Sequence, residues 1–190
     1  MSKIQWQGST LLGPVPAVLV TCADGETKNV FTVAWTGIVN SKPPKTYISV
    51  RPERFSYDII KNSGEFAINL TPSSLVRALD TCGVRSGRDT DKFEKCRLAT
   101  QSANVISAPL LAASPLSLEC RVCDTVDLGS HTMFIADIVS CNVEESLLDE
   151  KGKLHMEKAG LLAYLHGSYY ALGKKIGSMG DSVKKPRRKS

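Results

Sequence analysis

The sequence lacks the long apolar run that a membrane span requires. No stretch approaches the roughly 20 consecutive apolar residues of a transmembrane helix. The opening Met1-Ser2-Lys3-Ile4-Gln5-Trp6-Gln7 lacks the apolar segment of a secretory signal. The expectation is a soluble, unexported chain that works in the cytoplasm and has no membrane partner. Several sharp motifs are also missing. There is no GxGxxG after a strand, no GxxxxGKS/T, no HExxH and no GxSxG. Those absences argue against Rossmann-type dinucleotide binding, P-loop phosphoryl transfer, zinc proteolysis and α/β-hydrolase chemistry. Histidine is scarce, and His131, His155 and His166 are too scattered to suggest a metal site, so none is expected.

Neither sign of charge dominates the body of the chain. The 24 Lys and Arg exceed the 19 Asp and Glu by five, giving a net charge of +5. Lys184, Lys185, Arg187, Arg188 and Lys189 supply that whole excess at the C-terminal end. A face that binds nucleic acid gathers cations on a folded surface, often with aromatic platforms between them. A basic end does not match, so it reads as a solvated tail, residues 181–190, and no nucleic-acid partner is expected. Six cysteines in 190 residues are too few for the dense disulfide framework of a small secreted domain. Cys120 and Cys123 have CxxC spacing but fall in a stretch that reads as a strand. Residues three apart on a strand face opposite sides, so the two thiols are expected to diverge.

What is present is an ordinary globular composition, 42% hydrophobic and 23% charged, enough for one domain over residues 1–180. Val15–Cys22, Phe31–Val39, Lys45–Val50 and Glu65–Leu70 read as strands. Leu116–Val126 and His131–Val143 are two longer ones, joined by the turn Asp127-Leu128-Gly129-Ser130. Ser56 is placed to cap a short helix that stops at Gly64, and Thr71-Pro72 to open a second. Gly83–Asp91 reads as a loop, and Leu161–Gly180 as helical or irregular. Strands outnumber helices and the connections are short, so an antiparallel barrel with a few outer helices is the simplest closure.

Two segments have the composition of a binding site. Arg51 and Arg54 flank the start of the first helix, and free amides, a hydroxyl and guanidinium groups together suit a dianionic phosphate. On these residues alone, a capped helix beside two arginines is the plainer reading. Asn29–Gly37 is rich in small and hydroxyl residues around Trp35. It is suited either to a flat heterocycle or to a core strand with an anchoring tryptophan.

Taken in order, Asn29-x-x-Thr32-x-x-Trp35, Pro43-Pro44, Tyr47-Ile48-Ser49-Val50-Arg51-Pro52-x-Arg54-Phe55-Ser56-Tyr57-x-Ile59, Gly64-Glu65-Phe66-x-Ile68-Asn69 and Ser86-Gly87-Arg88-x-x-Asp91-Lys92-Phe93 resemble the flavin reductase-like, FMN-binding split-barrel family. The match is closest to its ferric reductase and flavoredoxin branch and covers about residues 10 to 145. The resemblance implies a mainly β fold, a six-stranded antiparallel split barrel with peripheral helices, working as a homodimer with FMN. It places Thr32, Val33, Ala34, Trp35 and Thr36 along the isoalloxazine ring. Ser49, Arg51, Ser56 and Tyr57 would hold the ribityl chain and phosphate, and Lys92 would approach the phosphate. Gly129-Ser130-His131 is similar to a family Gly-Asp-His turn beside the nicotinamide, with serine in place of aspartate. His131 is therefore the candidate catalytic residue, or a hairpin-end histidine without chemistry. Tyr164, Tyr169 and Tyr170 loosely match a segment that covers the flavin, with an ordinary packed helix as the plainer reading.

The implied activity is transfer of electrons from NADH or NADPH through FMN to an acceptor, whether flavin, ferric iron or a protein. The alternatives are a flavoredoxin-type electron carrier and a flavin-binding module, both without appreciable nicotinamide activity.

Overall fold

The computed structural model describes residues 1–183, so the basic residues from Lys184 to Lys189 lie outside the described residues. The strands are β1 (Val15–Pro16), β2 (Val18–Asp24), β3 (Thr27–Val33), β4 (Thr36–Ser41), β5 (Pro44–Val50), β6 (Glu65–Leu70), β7 (Thr100–Gln101), β8 (Leu110–Leu111), β9 (Leu116–Asp127), β10 (Thr132–Val143), β11 (Leu162–Leu165) and β12 (Ser168–Ala171). The helices are α1 (Phe55–Ser63), α2 (Val76–Val84) and α3 (Lys92–Lys95).

Seven strands form one antiparallel sheet in the order β3-β2-β6-β9-β10-β5-β4. Its two end strands, β3 and β4, are consecutive in sequence and separated only by Ala34-Trp35. The segment expected as one strand is therefore a bent one, paired with β2 on one side and with β5 on the other. The amide of Ser49 donates to the Trp35 carbonyl at 2.9 Å and carries the pairing across the bend. Counted as one, β3 and β4 give the six strands of an antiparallel split barrel; counted apart, they give seven.

The apolar run of β2 is unbroken because both of its faces are covered. Val18, Val20 and Cys22 pack with Phe31, Ile48, Ile60, Phe66 and Phe134 in one core, which α1 helps to close. Leu19 packs with Val30, Leu79, Cys82, Phe93 and Leu162 in a second core under α2 and α3. Each large apolar side chain buried this way contributes about 1.5–3 kcal/mol, so the strand is anchored from both sides.

Four local expectations need correction. Ser56 does not cap α1: Arg54 holds the cap position without a side-chain bond, and Ser56 lies buried inside the helix, accepting from Asn29 Nδ2 at 2.7 Å. Thr71 does not open α2 either. Its hydroxyl turns back to the Asn69 carbonyl, and a single 3-10 turn, Ser73–Leu75, precedes the helix. The third correction is the Phe31–Val39 segment, divided as described above. The fourth is the region after Leu161, where β11 and β12 form a hairpin that adds to β1, with Val15 opposite Tyr164. Its two-residue turn, His166-Gly167, has φ of 48° and 84°. Such a turn matches the twist of paired strands, and glycine meets its demand without strain.

Cys120 is buried in the first core while Cys123 is exposed, so the two thiols do diverge. The β9–β10 register skips Cys123 at a bulge. Among the described residues, no helix is long and apolar enough to cross a membrane.

Candidate functional site

The bend between β3 and β4 exposes the backbone of Ala34-Trp35 at the end of the barrel where β5 runs out into Arg51. A cleft of about 350 Å³ opens there, within the size range of small-molecule sites. Thr32, Val33, Ala34 and Trp35 form one wall, Ser49, Arg51 and His131 another, and Tyr164 with Tyr169 a third. The Thr32 hydroxyl donates to the Leu79 carbonyl, which ties this wall to α2. Gly83 eases that approach, because a Cβ there would make a tight contact 3.3 Å from Thr32 Cβ.

A second hollow of about 260 Å³ adjoins the cleft, and Phe31, Arg54 and Val84 border both. Its other lining includes Ser56, Arg85, Ser86, Arg88 and Lys92. Gly87 brings the 85–91 loop against β3 and α1; a Cβ there would lie 2.5 Å from both Asn29 Oδ1 and Phe55 Cδ1. Among the described residues, the ion pairs involve none of Arg51, Arg54, Arg85, Arg88 or Lys92. Arg54 and Arg88 each give one N–H to a carbonyl, Gly83 at 2.9 Å and Glu53 at 2.8 Å, and keep further donors in hand. Lys92 is only 2% exposed, and its Nζ reaches the Cys82 and Arg85 carbonyls at 3.2 and 3.4 Å. Burial holds its pKa below the usual lysine range. A buried ammonium without a carboxylate is costly unless an anion joins it. The start of α1 lies beside it with Phe55 and Ser56, and the positive end of a helix adds to the same field.

His131 stands at the foot of β10, its Nδ1 3.0 Å from the Ser130 hydroxyl. Burial, and then the neighbouring Arg51 guanidinium, push its pKa below 6.5. At pH 7 the ring is mostly neutral.

Seven of the residues expected at the site, Thr32, Val33, Ala34, Trp35, Ser49, Arg51 and His131, therefore meet in the cleft, while Ser56 and Lys92 meet in the adjoining hollow. Two do not line either one. The Thr36 hydroxyl is buried against the Tyr47 carbonyl at 2.6 Å. Tyr57 packs edge-on to Phe134, ring centroids 5.5 Å apart, and its hydroxyl meets Thr132 Oγ1 at 3.2 Å. Arg85 escaped the sequence-based reading; Arg54, weighed there as a phosphate partner, and Arg88, part of the family motif, line the hollow, while Tyr164 and Tyr169, loosely matched to a flavin-covering segment, line the cleft from a hairpin and not a packed helix. The two tyrosines sit opposite each other across β11 and β12, rings 5.8 Å apart.

Residues 12–173 match the model of a family described as the flavin reductase like domain. The chain belongs to this family. Among solved structures of similar fold, the flavoredoxin of Desulfovibrio vulgaris (Miyazaki F) is 28% identical. The similarity covers 96% of this chain and 100% of that one, with a TM-score of 0.89. A flavoredoxin from Methanosarcina acetivorans is 26% identical, with 97% and 100% covered and a TM-score of 0.88. An uncharacterised protein of Pyrococcus abyssi (strain GE5 / Orsay) is 25% identical over 164 residues, 86% of this chain and 93% of its own length. In this flavin reductase-like chain, the cleft and the cationic hollow lie together at the barrel end where β3 bends into β4.

Proposed function

We propose that this flavin reductase-like protein is an oxidoreductase that holds FMN without a covalent link and passes electrons from NADH or NADPH through it to a small-molecule or protein acceptor. One observation carries the reading: an aromatic-lined cleft runs into a hollow whose lining carries Arg54, Arg85, Arg88 and Lys92 against the single carboxylate of Glu53, none of these cations in an ion pair among the described residues. Thr32 to Trp35 would border the ring, Ser49 and Arg51 the ribityl chain. Arg54, Ser56, Arg85, Arg88 and Lys92 would hold the phosphate. FMN, when bound, supplies the hydride-accepting chemistry. The protein's residues bind and orient. Neutral His131 can offer a ring N–H or lone pair to a nicotinamide carboxamide without adding charge beside Arg51. The Tyr164 and Tyr169 wall narrows the approach to one side of the cleft and limits water.

Trp35, which lines the cleft, is 41% exposed, and Ile38 and Val39 further along β4 are 66% and 49% exposed. An apolar rim of that kind supports a homodimer in which a second copy covers it. The absence of a disulfide among the six free cysteines supports a reducing, cytoplasmic setting.

The likeness to two flavoredoxins favours a second reading, an electron carrier without appreciable nicotinamide activity. Anaerobic mixing with NADH or NADPH separates the two. Bleaching of the oxidised-flavin absorbance within seconds supports the reductase; an unchanged spectrum that bleaches only with dithionite supports the carrier.

A further inference from the structure

A third hollow, a groove of about 250 Å³, adjoins the cleft, and Trp35 and Tyr164 border both. Neither residue borders the cationic hollow. Thr10, Leu12, His166 and Gly167 are among the groove's other lining. Two segments far apart in sequence build it. Val15 and Pro16 pair with Tyr164 and Ala163, and Gly13 rests on β11 so closely that a Cβ there would lie 2.5 Å from Leu165 Cδ1. That seating brings Thr10 and Leu12 alongside the His166-Gly167 turn. His166 holds φ 48° at the first position of the turn, where Asn, Asp and Gly are the usual residues. The chemistry here is the reverse of the cationic hollow's. Among the described residues, the groove lining includes no Asp, Glu, Lys or Arg, against four cations and one carboxylate in the hollow. Leu12 is 89% exposed beside the half-exposed Trp35, apolar surface that a flat ring would take out of water. The Thr10 hydroxyl and the His166 ring can each donate to a carbonyl oxygen.

We propose that this groove seats the electron acceptor, and that the acceptor is an uncharged, flat ring dicarbonyl of the para-quinone class. A ring laid between Leu12 and Trp35 covers both, and its carbonyl oxygens meet the Thr10 and His166 donors. A ferric chelate or a nucleotide brings charge, for which the groove lining offers no counter-charge. In the overall step the quinone gains two electrons and two protons. NADH or NADPH gives up one hydride and water supplies one proton; both carbonyl oxygens become hydroxyls, and the nicotinamide leaves oxidised.

Binding in the groove rests on its lining alone; its role as the acceptor site rests on the FMN reading above. The probe is duroquinone, whose ring methyls block addition to the six thiols of the chain. In apoprotein carrying Trp6→Phe, Trp35 is the single tryptophan. Duroquinone should quench its emission saturably, beyond the collisional quenching of N-acetyltryptophanamide. Leu12→Asn should weaken that binding about tenfold, and Leu12→Met should restore it. Quenching that does not saturate, as when a second copy fills the groove, or that is equal in Leu12→Asn, overturns the site. In FMN-loaded protein with NADH, Leu12→Asn should raise the KM for duroquinone about tenfold. Its kcat, its FMN affinity and its KM for ferricyanide, a charged acceptor, should stay unchanged. No rise for duroquinone, or an equal rise for ferricyanide, overturns the acceptor assignment. A protein that takes up no FMN, or that NADH does not reduce, overturns the reading above and the acceptor role with it, while the quenching titration still decides the groove.

Discussion

Arg54 is the one cation that borders both the cleft and the hollow, and Arg54→Met keeps its apolar stem while removing the guanidinium. Without ligand the change removes one exposed hydrogen bond, to the Gly83 carbonyl, so apoprotein stability should move by no more than about 1 kcal/mol. With FMN the loss is larger, because a hydrogen bond to a charged phosphate contributes about 1.5–3 kcal/mol, or roughly 13- to 160-fold in affinity. At a mid-range loss of about 40-fold, an FMN concentration that is 100 Kd for the wild type is about 2.5 Kd for the variant. Ligand stabilisation then falls from about 2.7 to about 0.7 kcal/mol. For a chain of this length the FMN-dependent rise in melting temperature should shrink by about 4–8 °C. Differential scanning fluorimetry of apoprotein with and without FMN measures it. A variant whose FMN-dependent rise equals that of the wild type would show that Arg54 does not hold the phosphate.

His131→Ala should slow flavin reduction by NADH about tenfold, some 1.4 kcal/mol of barrier, at unchanged FMN affinity; equal anaerobic stopped-flow rates would return His131 to a merely structural role. Light scattering should give about twice the 20.6 kDa chain mass, and a value near one chain mass refutes the dimer. The third expectation is pH-dependent. His155 bonds to Glu157 at 2.8 Å and to Asp149 at 3.1 Å, which raises its pKa above 6.5 and lowers that of Asp149 from 3.8 to about 2. The histidine's contribution is full below pH 6.5 and lost as pH rises through its raised value; the aspartate's is present above pH 3.8 and lost as pH falls toward 2. The 149–157 loop should therefore be best protected near pH 5.5, and amide exchange corrected for intrinsic rates should show more opening at pH 8.5. Equal protection at both values would refute the clasp.

The barrel was legible where one physical signal sufficed. β9 and β10 each carry strand-forming residues over a long run, and the Asp127–Ser130 turn between them holds a glycine at φ 84°. The bend at Ala34-Trp35 carries no glycine or proline to announce it, so a single strand was the natural reading. Ser56 has the chemistry of a cap, but the buried Asn29 amide claims its oxygen, a contact 27 residues away in sequence. The β11–β12 hairpin did leave a signal: two apolar and aromatic runs separated by His166-Gly167, a two-residue turn with glycine at its second position. At the site, the ring-bordering segment was legible because it is continuous. The cation set was legible only in part: Arg54 and Lys92 were candidates from the sequence, whereas Arg85 and Arg88 join them only when the 85–91 loop folds against β3 and α1.

Flavin content tests the central claim most directly. Protein purified without added cofactor, or apoprotein titrated with FMN, should carry one FMN per chain, released on denaturation and identified by chromatography. A protein that carries no flavin and takes up neither FMN nor another flavin at micromolar concentration would contradict the account.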